Sequence, residues 1–135
     1  MPTQLEIVSP DKLLLSQPVD MAVIPAAEGD MGVLPGHAPM IVLLRGGTIV
    51  LQEGGKPTAR LFVSGGFAEI TQERCTVLAD EAIPVAEVSR AKAEARLAAA
   101  EAGYAAADKT DMMQLDLLMG HVQSARAMVL AAEAP

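Results

Sequence analysis

At Pro84 the chain changes its hydrophobic period and its residue vocabulary together. Before it, short runs rich in Val, Ile, Leu and Thr alternate with Gly and Pro. Beyond it the sequence is rich in Ala and nearly free of both breakers. A period near two cannot hold still as a helix, and a period of 3.6 cannot hold still as a strand. The sequence therefore predicts a β domain over residues 1–84 and a helical region over 85–135.

In the first part "TQLEIVS" sets Leu5 and Ile7 against Gln4 and Glu6, and "PVDMAVIP" continues the short apolar alternation. The run "GGTIVLQEGGKPTARLFVSGGFAEITQERCTVLAD" reads as a meander. Its expected strands are Thr48–Gln52, Ala59–Val63, Phe67–Thr71 and Cys75–Leu78. Gly54-Gly55 and Gly65-Gly66 offer the positive φ of tight hairpins, and Gln72-Glu73 makes the third turn. Short strands without intervening helices point to an antiparallel β-sandwich or flattened barrel.

In the second part "EVSRAKAEARLAAAEAGYAAA" is built from strong helix formers. The expected packing stripe is Ala91, Ala95, Ala98, Ala102 and Ala105, beside Val88. "DKTD" then interrupts, and Asp111 with Gln114 forms a capping-box pattern. In the second helix Met112, Leu115, Leu118, Met119, Val122, Ala125 and Val129 recur at helical spacing, opposite Asp116, Gly120 and Gln123. The fold class is thus α+β, a sandwich followed by an αα-hairpin. The thin shared stripe predicts a weakly self-stabilised, movable hairpin.

Composition narrows the function classes. The formal net charge of -7, with acids outnumbering bases on both sides of Pro84, excludes a nucleic-acid binder that needs a basic stripe. Cys75 is the only cysteine, so no intrachain disulfide forms, and its strand setting suggests a small core hydrophobe. "MPTQLEIVSP" lacks the pattern of a signal peptide, and the longest apolar stretch, "APMIVLL", stops at Arg45. Neither feature supports lipid insertion, although docking on a membrane complex stays open.

The segment "GDMGVLPGHAPM" concentrates residues with backbone meaning. Leu34-Pro35-Gly36-His37 fits a type II turn, with Pro fixing φ and Gly taking the positive value. Pro39 lacks a backbone donor and belongs at an edge or strand start. His37 has no nucleophile or metal-ligand partner at suitable spacing, because His121 lies in the second helix. No dinucleotide fingerprint, P-loop or catalytic constellation is present. The segment reads as a stiff surface device, with His37 bonded to nearby backbone.

"EGDMGVLPGHAPM", "SGGFAEI" and "VLADEA", in this order, resemble the epsilon-subunit family of bacterial rotary ATP synthases, called delta in mitochondria. The resemblance spans the whole chain and is most specific at Pro-Gly-His-Ala-Pro. It implies a non-catalytic rotor subunit of the central stalk, peripheral on the cytoplasmic face of the cell inner membrane. It also implies contacts of the sandwich with the gamma subunit and the c-ring. Matching residues for c-ring and stalk contact are Glu28, Asp30, Met31, Gly36 and His37, with Asp30 foremost.

In that family the hairpin folds onto the sandwich or extends toward the catalytic alpha and beta subunits and restrains hydrolysis. Some members bind ATP through an acidic-x-x-Arg-Ala motif, matched here by Glu87, Arg90 and Ala91. Glu81 and Arg96 complete that candidate set, with Arg96 one residue short of the family spacing. No resident cofactor is implied; ATP would be a weak regulatory ligand. The competing expectation is a stand-alone β-sandwich that binds a ligand or metal through His37 and dimerises through its helices.

Overall fold

The computed structural model describes residues 2–133. Ten strands precede two helices. In chain order they are β1 (Thr3–Val8), β2 (Leu13–Val19), β3 (Met21–Ala26), β4 (Gly29–Val33) and β5 (Met40–Leu44). There follow β6 (Gly47–Glu53), β7 (Lys56–Val63), β8 (Gly66–Ile70), β9 (Arg74–Ala79) and β10 (Ala82–Pro84). A 3-10 turn over Val85–Glu87 leads into α1 (Arg90–Ala106) and α2 (Met112–Glu133).

The strands form one path, β10-β7-β6-β3-β5-β8-β9-β1-β2, with β4 paired to the outside of β3. Between β3 and β5 the path is held by the single pair Ala26↔Leu44, so the sheet folds over there into two facing layers. Alternation does the rest. Leu5 and Ile7 from β1, Ile49 and Leu51 from β6, and Cys75 and Val77 from β9 all point inward and are fully buried. They join Ile24, Val33, Val63, Ala68 and Ile70 in one continuous core. Aliphatic branching fills this space without Trp.

The expected sandwich is present, and its four later strands fall close to their expected places. Two features of the topology were not legible. β1 runs parallel to β9, whereas its other neighbour β2 is antiparallel. Gly65-Gly66 is not a hairpin: β7 pairs with β6 and β10, while β8 pairs with β5 and β9. The two glycines carry the chain from one layer to the other at φ of 147° and 131°. A Cβ on Gly66 would sit 2.1 Å from the Leu78 carbonyl oxygen, so only Gly permits this approach.

Ser89 caps α1 by accepting from the Lys92 amide at 3.3 Å, and Asp111 caps α2 by accepting from the Gln114 amide at 3.1 Å. The packing face of α1 differs from the expected stripe. Ala91, Ala95, Ala98, Ala102 and Ala105 are exposed, while Ala93 is buried and Leu97, Ala100 and Tyr104 are half-buried. A helix made mostly of Ala offers little contrast between faces, so Leu97 and Tyr104 set its rotation. In α2, Val122 and Ala125 are buried as expected, joined by Ser124, Met128 and Ala131; Met112 is exposed.

The hairpin docks on the outer face of the β10-β7-β6 layer through a small cluster. Phe62 of β7 points out of the sandwich and is fully buried among Ala93, Met128 and Ala131, with Ile83, Val85 and Val88 around them. Nearby, the Ser124 hydroxyl donates to the Ser64 carbonyl at 2.9 Å. The backbone of α2 comes so close here that a Cβ on Gly46 would lie 2.5 Å from the Ser124 Cα.

Candidate functional site

The residues singled out by resemblance lie along one edge rather than in one cluster. Glu28 sits in the β3–β4 turn and Asp30 at the start of β4, both exposed. Gly36 and His37 lie beyond the other end of β4, a strand about 16 Å long at the usual rise per residue. Met31, between them, turns inward and packs against the core. β4 pairs only with β3, which makes this edge a polar ledge running from the acids to the histidine.

Each end of the ledge is tied down. At the acidic end Asp30 Oδ1 accepts from Arg45 Nη2 at 2.7 Å, and Arg45 Nη1 also reaches the Ala26 carbonyl at 3.4 Å. Such an exposed pair stabilises by about 0–1 kcal/mol, so a partner donor can still reach the carboxylate. At the other end the His37 amide donates to the Leu34 carbonyl at 3.2 Å, closing the expected turn with Gly36 at φ 80°. The Gly36 amide donates to the Gln72 carbonyl at 2.9 Å, fastening the loop to the β8–β9 turn.

His37 Nδ1 lies 2.8 Å from the Ala38 carbonyl. A carbonyl can only accept, so Nδ1 carries the proton in this bond. Among the described residues no three His, Cys, Asp or Glu side chains gather where they could share an ion. The competing reading of His37 as a metal ligand therefore has no donor set to complete it. Cys75, fully buried in β9, has its pKa pushed up to about 11 by burial, which keeps the thiol protonated and unreactive.

The candidate nucleotide residues are divided. Arg96 Nη1 meets Glu81 at 2.7 Å, bridging α1 to the sandwich just before β10. Arg90 is shared between Glu94 at 3.1 Å and Glu133 at 3.4 Å. Glu87 ends the 3-10 turn, exposed. Both arginines are thus already matched with carboxylates. Arg126 of α2 lies 3.9 Å from Glu101 of α1, within the hairpin itself.

A surface that sequence reasoning missed lies on the outer face of the β5-β8-β9-β1-β2 layer. Register places Leu43 opposite Phe67, Phe67 opposite Leu78, Leu78 opposite Val8, and Val8 opposite Leu13. These five outward side chains make an apolar row across the whole layer. Leu43 is 70% exposed, Leu13 55% and Phe67 41%. The signal was present in "MIVLL" and "GFAEI", where apolar residues occupy both alternating sets of positions. A strand of that kind is covered on both faces, and none of the described residues covers the second.

Residues 2–85 match the family model described as ATP synthase, Delta/Epsilon chain, beta-sandwich domain. The chain is 68% identical over 130 residues to the ATP synthase epsilon chain of Granulibacter bethesdensis, covering 96% of each. It is 53% identical over 135 residues to that of Gluconacetobacter diazotrophicus, covering all of this chain and 96% of the relative. Among solved structures it resembles a chain of the Euglena gracilis mitochondrial ATP synthase OSCP/F1/c-ring assembly. There the TM-score is 0.73 at 27% identity, over 93% of this chain and 80% of that one. A fold likeness with TM-score 0.68 at 12% identity extends to the Tetrahymena thermophila central stalk/c-ring structure, over 98% of this chain and 97% of that one. The match of the sandwich model, and of relatives along both sandwich and hairpin, shows that this chain belongs to the ATP synthase delta/epsilon chain family.

Proposed function

We propose that this chain is a non-catalytic rotor subunit of the central stalk of a proton-translocating ATP synthase, coupling c-ring rotation to ATP synthesis. The observation that carries the reading is the pair of surfaces left open on a rigid sandwich. The apolar row from Leu43 to Leu13 is the gamma-facing surface, because an exposed apolar stripe across a whole layer marks a protein-interaction surface. The ledge of Glu28, Asp30, Gly36 and His37 is the c-ring-facing surface, braced by Pro35, Pro39 and the bond to Gln72. A rotor contact transmits torque only if it does not yield, and both ends of this ledge are hydrogen-bonded to the sandwich.

No described helix is long and apolar enough to cross a membrane. Attachment at the cytoplasmic face of the cell inner membrane therefore runs through protein partners in this reading. The boundary near Pro84 divides a coupling domain from a regulatory hairpin. The hairpin reaches the alpha and beta subunits only if it leaves the Phe62 cluster. ATP, as a weak regulatory ligand, would have to part Arg96 from Glu81 and Arg90 from Glu94 and Glu133. Titration calorimetry on the protein and on Arg90→Ala tests that point: heat lost in the variant supports the site, and no heat at millimolar ATP removes it.

The reading as a whole is tested by purifying the tagged chain from detergent-solubilised membranes. Gamma and c-ring subunits should come with it. A free soluble oligomer with no ATP synthase subunits would contradict the proposal and return attention to His37.

A further inference from the structure

We propose that the partner segment covering the open face carries an apolar stripe bordered by Lys or Arg side chains that meet Glu69 and Glu73. This rests on the stalk reading above and adds the chemistry of the partner surface to it. The next outward row of the same layer contains Ile41 on β5, Glu69 on β8, Thr76 on β9, Glu6 on β1 and Ser16 on β2. With Glu73 and Arg74 from the β8–β9 turn its polar members line a shallow polar groove. Arg74 is the only basic side chain in that groove, and it is engaged with Glu6 at 3.0 Å. Glu69 and Glu73 are exposed and have no ion pair among the described residues.

Size makes the carboxylates part of the footprint. Outward rows are about 6.7 Å apart along a strand, whereas a helix with its side chains is about 10–12 Å across. A helix seated on the Leu43–Leu13 row reaches about 5–6 Å to either side, so its flanking side chains border Glu69. A carboxylate covered by an apolar surface would lose its water without compensation, which is strongly unfavourable. A cation at that border turns the loss into an attraction and steers the encounter. The apolar row supplies contact area; the acids select which apolar surface is accepted.

The test uses ATP synthase stripped of this chain and rebinding of the full-length protein at low and high salt. Four proteins are compared: wild type, Glu69→Gln with Glu73→Gln, Glu69→Lys with Glu73→Lys, and Leu43→Asp. All three positions are exposed, and circular dichroism checks that each variant keeps its fold. Wild-type affinity should fall with salt. The double Lys variant should bind roughly tenfold or more weakly with a flattened salt response, and the double Gln variant should lie between. If the double Lys variant binds like wild type while Leu43→Asp does not bind, the partner has no basic border and the inference fails, leaving the stalk reading intact. If Leu43→Asp binds normally, the open face is not the gamma-facing surface, and that part of the stalk reading fails with it.

Discussion

The sandwich and the hairpin are both folded and both packed, yet they are held by very different amounts of burial. The sandwich encloses sixteen buried apolar residues in one cluster drawn from nearly every strand. The hairpin is fastened through a cluster with four buried members, two of them Ala. Among the described residues its polar ties to the sandwich are the Ser124–Ser64 hydrogen bond and one exposed ion pair, Arg96–Glu81. Burial scales with apolar area, and exposed pairs add little. The expectation is a sandwich that stands by itself and a hairpin that can leave it.

The contrast can be broken first in the sandwich core. Leu51→Ala opens a cavity in a site with no exposure and should cost roughly 2–5 kcal/mol. Thermal unfolding should shift downward by about 10 °C or more. A shift of one or two degrees would mean that the core is looser than its burial indicates.

Cys75 gives a second, somewhat smaller effect in the same core. Its folded pKa of about 11 lies above the 9.0 of an unburied thiol, so the native state holds a proton that the unfolded chain releases. Stability contributed by the protonated thiol is therefore complete below pH 9 and falls as pH rises toward 11. The loss should be roughly 2–3 kcal/mol across that window. Urea titrations of wild type and Cys75→Ala should show this extra alkaline loss only in wild type; equal slopes would refute it.

A change at the seam should touch the hairpin alone. Gly46→Ala places a methyl 2.5 Å from the Ser124 Cα and must push α2 away. Amide exchange in α2 should become about tenfold faster, ~1.4 kcal/mol of opening free energy, with the sandwich amides unchanged. Joint acceleration of both regions would show that they open as one unit.

The smallest effect concerns hydrolysis. From Asp111 onward Arg126 is the only Lys or Arg, and it already lies beside Glu101. An acidic partner would find little to attract. Removing residues 109–135 should change ATP hydrolysis by less than about threefold, a barrier change of roughly 0.65 kcal/mol. A tenfold rise would show that the apolar side chains of α2, not its charges, reach the catalytic subunits.

The same two regions differ in how far the sequence revealed them. Strands β6 to β9 were legible because Gly-Gly and polar pairs punctuate strong alternation. The turn at Pro35-Gly36 was legible because only that residue pair fits it so well. The switch of layers at Gly65-Gly66 was not, since positive φ serves a hairpin and a crossing equally. The β1–β9 pair joins residues some seventy apart in sequence, and no local pattern encodes it. In α1 the rotation was misread because Ala surrounds the helix on every side. The open apolar row was hidden for a related reason: it emerges only when five strands are set in register. The residues of the ledge were singled out one by one from the sequence, but their extended arrangement follows from β4 being a strand, and the inward turn of Met31 follows from its place in the core packing.

The sandwich should fold and dock without the hairpin, and a truncated chain of residues 1–84 puts this to the test. Circular dichroism and thermal melting should show a β-rich protein with one cooperative transition. The same fragment should rebind ATP synthase stripped of the full-length chain. A fragment that is unfolded, or folded but unable to rebind, would contradict the claim and make the Phe62 cluster part of the sandwich's own stability or docking.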